Sequence, residues 1–412
     1  MTLSLARRTA HFPDRTAIID ISEERRYAPA GTIDENCISY GELSMLVTET
    51  AERLAARGIE PGDTVCLVTR NRVASLALFF ACRHLGATFA PISHLLTPAS
   101  VKRPFDALVP TLVVAEPAQR DLVRSIPYDR VVTLEELAET VADPLDLDDD
   151  SPMADPVLAL HGQSGRPVAG FSAGAVERNC ITAVVAWGLA ANDVVPLPTP
   201  LAAATGLVRV ALSVLYVGAT LVIDRAFDPT DAVAAMAAEN ATFLVGHEQA
   251  IRAIAAESGF EKAAGSLERV VCEGPVATDV AGDYRVHGVE FARAYGRLEC
   301  PTALSQGFGA DRAESAADGS GVGRPVPDCR VRLVDTDGTV LSGAATGRLQ
   351  LSGPVVADGY LPSSSPLDER DEPDESGRGG ADRTADIGRF TNGWFDTGER
   401  FNRDENGTYH PQ

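Results

Sequence analysis

The chain has 412 residues, room for two or three domains at a soft prior of roughly 150 residues each, and a formal net charge of −22. So negative a chain argues against a nucleic-acid partner, whose phosphates need cationic contacts, and against anionic membrane surfaces; no apolar run approaches the length of a membrane helix. The acids are spread along the chain as well as clustered, and nearly all bases are arginine, with Lys102 and Lys262 as the lysines, which favours a salt-adapted protein over ordinary acidity confined to a few loops.

Leu43, Leu46, Val47, Thr50, Ala51 and Leu54 recur on one helical face, and Gly58 after Arg57 stops that helix. A strand over 64–68, an apolar helix over 75–85 closed by Gly86, and buried strands at 112–114 and 131–132 follow. The apolar stretch 157–160 is strand-like and runs into a small polar loop with Gly162, Ser164 and Gly165. Such loops turn backbone N–H groups toward one point and can cradle an anion, although a plain surface turn has the same composition and no Walker Gly-Lys-Ser/Thr follows. A strand at 219–223, a helix at 231–238 and strands at 243–245 and 289–291 continue the alternation. The pattern implies α/β layers with mostly parallel sheets.

After Gly323, the segments 329–334 and 347–351 around the Asp337-Gly338 turn predict a small antiparallel β unit. Three blocks result: 1–150, 151–322 and 323–412. Polar stretches at 22–36, 143–150 and about 363–389 read as insertions or connectors, the last as a disordered acidic one. Seven scattered cysteines without a C-x-x-C pair read as reduced, mostly buried thiols of a cytoplasmic protein, and the N-terminus shows no secretory signal.

The order of several segments resembles the adenylate-forming superfamily of acyl-CoA synthetases, aryl-CoA ligases, luciferases and peptide-synthetase adenylation domains. The matching segments are His11-Phe12-Pro13-Asp14-Arg15, Ser39-Tyr40-Gly41-Glu42-Leu43, Tyr295-Gly296-Arg297-Leu298-Glu299, Gly323-Arg324-Pro325 and Gly393-Trp394-Phe395-Asp396-Thr397-Gly398-Glu399. The family's phosphate loop ends in Pro-Lys-Gly; here Arg166-Pro167 is followed by Val168-Ala169. The resemblance implies a layered αβαβα large domain with the small β unit. The chain ends near Gln412, where the family has its hinge, so the small C-terminal lid domain with its catalytic lysine is expected to be absent.

The resemblance also implies site roles. Gly162, Ser164, Gly165 and Arg166 would face phosphates, Arg166 substituting for the missing lysine charge unless it points to solvent. Glu273, Gly274 and Pro275 would line the adenine pocket or form a tight turn. Tyr295, followed by Gly296 in the nucleotide site, would stack on adenine or else be a core aromatic, and Glu299 would bind magnesium or else be a surface glutamate. Glu399 stands where an aspartate binds the ribose hydroxyls, and its extra methylene moves the carboxylate by ~1.5 Å. His161 could donate to phosphate when protonated, but a histidine satisfied by backbone is the favoured reading. Residues 198–206 are small and apolar, either an acyl pocket or helix packing.

The ligands implied are ATP or AMP, magnesium, coenzyme A, and a carboxylic acid or its acyl-adenylate. The activity implied is AMP-forming ligation of a carboxylic acid to a thiol, impaired in this chain alone. A separate lid-domain protein or an active homologue is the implied protein partner. A non-catalytic nucleotide- or acyl-binding regulator or scaffold, and a protein keeping only the fold, are the alternatives.

Overall fold

The computed structural model describes all residues except 1–2, 23–36, 127, 129, 146–153, 275–277, 309–320 and 363–388. Most of the three polar insertions therefore lie outside the described residues, as does Pro275. Among the described residues, four sheets form.

The largest has the order Gly359–Tyr360, Val168–Phe171, Leu158–His161, Thr88–Ser93, Thr64–Thr69, Leu112–Ala115, Val131–Thr133. Its strands from Leu158–His161 onward are parallel, and the two at the other edge are antiparallel. Alternation along them sends Val65, Leu67, Leu112 and Val114 to one face and Cys66, Val68, Val113 and Ala115 to the other. The first set packs on helices Tyr40–Ala56 and Val73–His84. The second packs on helix Lys102–Leu108.

A second sheet, Cys37–Ser39, Thr16–Asp20, Thr220–Ile223, Val194–Pro196, covers the opposite side of that helical layer. Its last strand meets a third sheet, Phe243–His247, Arg269–Glu273, Glu290–Tyr295, Leu304–Ser305, Arg324–Pro325. There Thr242 N–H donates to Val194 O at 3.0 Å. Helices Pro229–Glu239, Glu248–Ala255 and Thr278–Arg285 cover the outer side. The result is the expected αβαβα layering. Sheet membership crosses the sequence blocks, since strands near the N-terminus join those near residues 194–223, and strands 158–171 join those of 64–133. The fourth sheet is the small antiparallel unit: Val340–Leu341, Arg330–Val334, Ala345–Ser352, Trp394–Arg403, Arg389–Thr391, with Tyr409–Pro411 also on Trp394–Arg403.

Local chemistry sets the boundaries. Ser39 Oγ accepts from Glu42 N–H at 3.2 Å while Glu42 Oε2 accepts from Ser39 N–H at 2.7 Å, a capping box that starts the helix at Tyr40. Helix Pro229–Glu239 begins two residues before the 231 expected from its apolar periodicity. The Asp228 carboxylate caps Thr230 and Asp231, and Pro229 occupies the first turn. All seven cysteines are free thiols, six of them buried, and among the described residues no helix is long and apolar enough to cross a membrane.

Candidate functional site

Strands Leu158–His161 and Val168–Phe171 form a hairpin with His161 opposite Val168, and residues 162–167 are its loop. The loop is held from within: Gly162 N–H donates to Pro167 O at 2.9 Å and Gly165 N–H to Gly162 O at 2.8 Å. Gly165 has φ +87°, and a Cβ there would stand 2.8 Å from Ser100 O and 3.0 Å from Pro104 Cδ, so the loop lies flat on helix Lys102–Leu108. Ser164 O accepts from Arg103 Nη1 at 3.3 Å. Arg166 Nη2 donates to Asp106 Oδ2 at 2.6 Å, which commits this guanidinium to the same helix. Two of the N–H groups expected to cradle phosphate are thus used inside the loop in this conformation.

His161 is buried, with Nδ1 2.7 Å from Gly162 O and Nε2 accepting Ser93 N–H at 3.0 Å. This pattern puts the proton on Nδ1 of a neutral ring. Burial lowers its pKa against the opposing effect of the Gly162 bond. The histidine satisfied by backbone is the observed state. Position 168 carries a valine, 3% exposed, in the apolar cluster with Val68, Ala90 and Phe105.

The second part of the site gathers at the end of strand Glu290–Tyr295. The Tyr295 ring stands edge-on to Phe401 at 4.9 Å, and its hydroxyl donates to Glu399 Oε2. Glu399, on strand Trp394–Arg403, accepts from Arg297 Nη1 through its other oxygen. Arg297 Nε lies 3.6 Å from Glu299 Oε2. Glu299, 2% exposed, accepts from the Tyr360 hydroxyl at 2.5 Å. Tyr360 pairs with Ala169 across the sheet, so this chain of contacts returns to the hairpin. Burial first, and the Glu399 charge second, hold the Tyr295 phenol well above its usual range; burial and then Glu299 do the same for Tyr360. Both remain O–H donors. Burial opposes the Arg297 charge, yet Tyr295, Glu399 and Glu299 outweigh it and raise its pKa.

Glu273 closes the third side. Its carboxylate takes Arg209 Nη1 at 2.8 Å, Thr205 Oγ1 at 2.9 Å and His247 Nδ1 at 3.2 Å. Arg209 and Thr205 lie on a π-helical turn, Thr205–Ala211, which frequently marks functional positions. Arg209 is fully buried, with Nε on Thr302 Oγ1 at 3.0 Å and a further bond to Pro301 O. A Cβ on Gly296 would collide with Arg209 Nη2 and Pro301 O, so only glycine fits beside Tyr295. Gly274 has φ +103° and opens toward free space.

Tyr295, Gly296, Glu299, Glu399 and Glu273 are therefore brought together, and Arg166 and His161 are not part of that group. Sequence reasoning did not single out Arg209, Thr205, His247, Arg297 or Tyr360. A charged Arg209 inside the apolar run 207–217 was a visible sign of a buried partner.

The surroundings of Glu299, the residue expected to bind magnesium, do not suit the ion as they stand. This ion wants near-octahedral oxygen ligands and gives up its waters reluctantly. Among the described residues no group of three His, Cys, Asp or Glu converges, so a magnesium ion here would depend on Glu299, waters and a ligand's phosphates. The carboxylate expected to bind it, Glu299, is buried and already lies between a phenol and a guanidinium, with apolar Leu298 as its neighbour.

The AMP-binding enzyme family matches residues 5–167 and 171–361. A feruloyl-CoA synthase from Amycolatopsis is 29% identical over 384 residues, covering 90% of this chain and 72% of the relative. An indoleacetate–CoA ligase from Aromatoleum aromaticum is 26% identical with the same coverage. Among solved structures, the o-succinylbenzoate CoA synthetase of Bacillus subtilis in complex with AMP superposes with TM-score 0.79 at 17% identity, covering 99% of this chain and 97% of that one. ATP-bound MatB of Rhodopseudomonas palustris gives 0.79 at 22% identity, covering 100% and 78%. These two share the fold, and with the family match over most of its length the chain belongs to the AMP-binding enzymes, the acyl-CoA-synthetase-like adenylate-forming proteins.

Proposed function

We propose that this chain holds an acyl-adenylate or AMP at the Tyr295–Glu399 site, and that the chain by itself forms the adenylate from ATP slowly. In the full reaction a substrate carboxylate oxygen attacks the α-phosphorus, a new acyl–O–P bond forms and pyrophosphate leaves. A thiol sulfur such as that of coenzyme A then attacks the acyl carbon and AMP departs. The observation that carries the reading is the contrast between two halves of one site. The adenosine side keeps an aromatic ring, a carboxylate for the ribose and a glycine. The phosphate side has a buried valine at 168 and its nearest substitute guanidinium, Arg166, tied to Asp106. Stabilising the pentacovalent phosphate needs preorganised positive charge aimed at it.

An aromatic carboxylic acid is the substrate class this reading favours, because the relatives named above are a feruloyl-CoA synthase and an indoleacetate–CoA ligase. A cytoplasmic setting with coenzyme A, and a lid domain or active homologue as partner, belong to the same reading. Binding without catalysis, in a regulatory or scaffold role, is the second reading. The ring of contacts Tyr295–Glu399–Arg297–Glu299 favours it, since the groups for ribose already satisfy one another.

The test is calorimetry with AMP and ATP, and pyrophosphate release over a panel of aryl acids, with and without an active relative's lid domain in trans. AMP is expected to bind more tightly than ATP, and the chain alone to release little pyrophosphate. ATP binding about tenfold tighter than AMP, or turnover by the chain alone of order 1 per second, would refute the reading. A lid that raises pyrophosphate release favours the ligase; AMP binding with no release under any condition favours the binding protein.

A further inference from the structure

Two carboxylates face the Tyr295 end of the third sheet, and one cation serves both. Arg297 Nη1 donates to Glu399 Oε1, and Arg297 Nε lies 3.6 Å from Glu299 Oε2 with the Arg297 side chain only 15% exposed. The Glu299 side chain is 3% exposed, and its Oε2 receives no hydrogen bond among the described residues. A carboxylate buried so deeply is costly to keep charged without a counter-ion. The guanidinium is the group that supplies one. It is planar, permanently charged and weakly hydrated, so it tolerates burial between two carboxylates better than an ammonium would. A divalent ion brought to Glu299 would meet that positive charge within a few ångströms, in a partly desolvated site where like charges repel strongly. Metal and Arg297 are therefore alternatives at this position.

We propose that Arg297 is the resident cation of the site, standing beside Glu299 where a divalent metal would otherwise sit, so that this chain takes AMP or an acyl-adenylate without magnesium. The inference rests on the adenylate-binding reading above and adds its charge requirement. It makes Arg297 a specificity residue: its guanidinium neutralises Glu299, and ribose hydroxyls compete with it for Glu399. Ligands carrying one phosphate suit a site in which Arg297, not a metal, neutralises Glu299. A triphosphate, which needs metal to disperse its charge, does not.

The experiment titrates AMP into the full chain by calorimetry in EDTA and in excess magnesium, for wild type, Arg297→Gln and Arg297→Lys. Manganese-dependent melting is followed with no nucleotide present. Wild type is expected to bind AMP equally in both buffers, within about twofold, and to show no manganese shift in melting temperature. Arg297→Gln is expected to bind AMP about tenfold better with magnesium than without, and to melt higher with manganese, because Glu299 is then free to take a metal. Arg297→Lys keeps the charge and is expected to show no manganese shift, as in wild type, although its ammonium bridges the two carboxylates less well. A wild-type chain whose AMP affinity rises about tenfold with magnesium, or which manganese stabilises, overturns the proposal even if the variants do not fold. If wild type binds no AMP in either buffer, the adenylate reading falls. The manganese arm then decides Arg297 alone: a flat wild type with a responsive Arg297→Gln sustains the resident cation, and a responsive wild type removes it.

Discussion

His161 shows how a side chain that looks available for phosphate is taken up by the backbone. Its two ring nitrogens are used by Gly162 O and Ser93 N–H, and burial lowers its pKa. The unfolded chain titrates near ~6.5 and therefore binds more protons than the native state just below that pH. The stability His161 contributes is complete above about pH 6.5 and is lost as the pH falls from there through the lowered native value. His94 is lowered in the same direction, first by burial, so the informative quantity is a difference between proteins. His161→Gln can still accept from Ser93 but does not titrate. The gap in melting temperature between wild type and His161→Gln is expected to shrink between about pH 7.5 and pH 5.5. A gap constant over that interval would show that His161 does not titrate as described.

The apolar stretch 198–206 was open to two readings, an acyl pocket or helix packing, and its contacts show what holds it. Asn71 clamps it, donating to Thr199 O at 3.2 Å and accepting from Leu201 N–H at 2.8 Å. A Cβ on Gly206 would overlap Pro200 O, so the π-helical turn carrying Arg209 is pressed against the segment before it. Gly206→Ala must push the two apart, which costs about 1–3 kcal/mol as overpacking does elsewhere. A lower urea midpoint with an unchanged m-value is the expected signature. Because Arg209 supports both Glu273 and the Gly296 backbone, AMP affinity should fall along with stability. An Ala variant as stable as wild type would mean that the turn relaxes freely.

Across the entire chain, 58 acidic residues face 36 lysines and arginines. Their mutual repulsion opposes compaction at low ionic strength, and the Debye length contracts to about 3 Å at 1 M salt. If the acidity is salt adaptation, the melting temperature climbs steadily from dilute buffer to molar KCl. Scanning calorimetry over that range is the check, and a flat or falling curve removes salt adaptation. The interior pairs should respond little: Arg72 and Arg225 each lie 2.7 Å from Glu116, a fully buried carboxylate that bulk ions do not reach.

Helix and strand periodicity, capping residues and glycine stops are short-range properties, and these could be read directly. The Leu43–Leu54 face, the strand at Leu112, the antiparallel unit after Gly323 and the layered α/β class all follow from neighbours a few positions apart. Tyr295, Gly296, Glu299 and Glu399 could be named because their motifs are local too. Which sheet each strand joins could not be read, since Thr16–Asp20 pairs with Thr220–Ile223 across some two hundred positions that no local pattern spans. The partners of the charged side chains were equally hidden. Arg166 was as free to face a phosphate as to meet Asp106, and Arg297 was an unremarked letter inside a motif. Only when helix Lys102–Leu108 lies under the hairpin loop, and strand Trp394–Arg403 beside Tyr295, do the guanidiniums meet their carboxylates, Asp106 for Arg166 and both Glu399 and Glu299 for Arg297. Charge pairing is settled by distance in space, which folding creates and residue order along the chain does not specify.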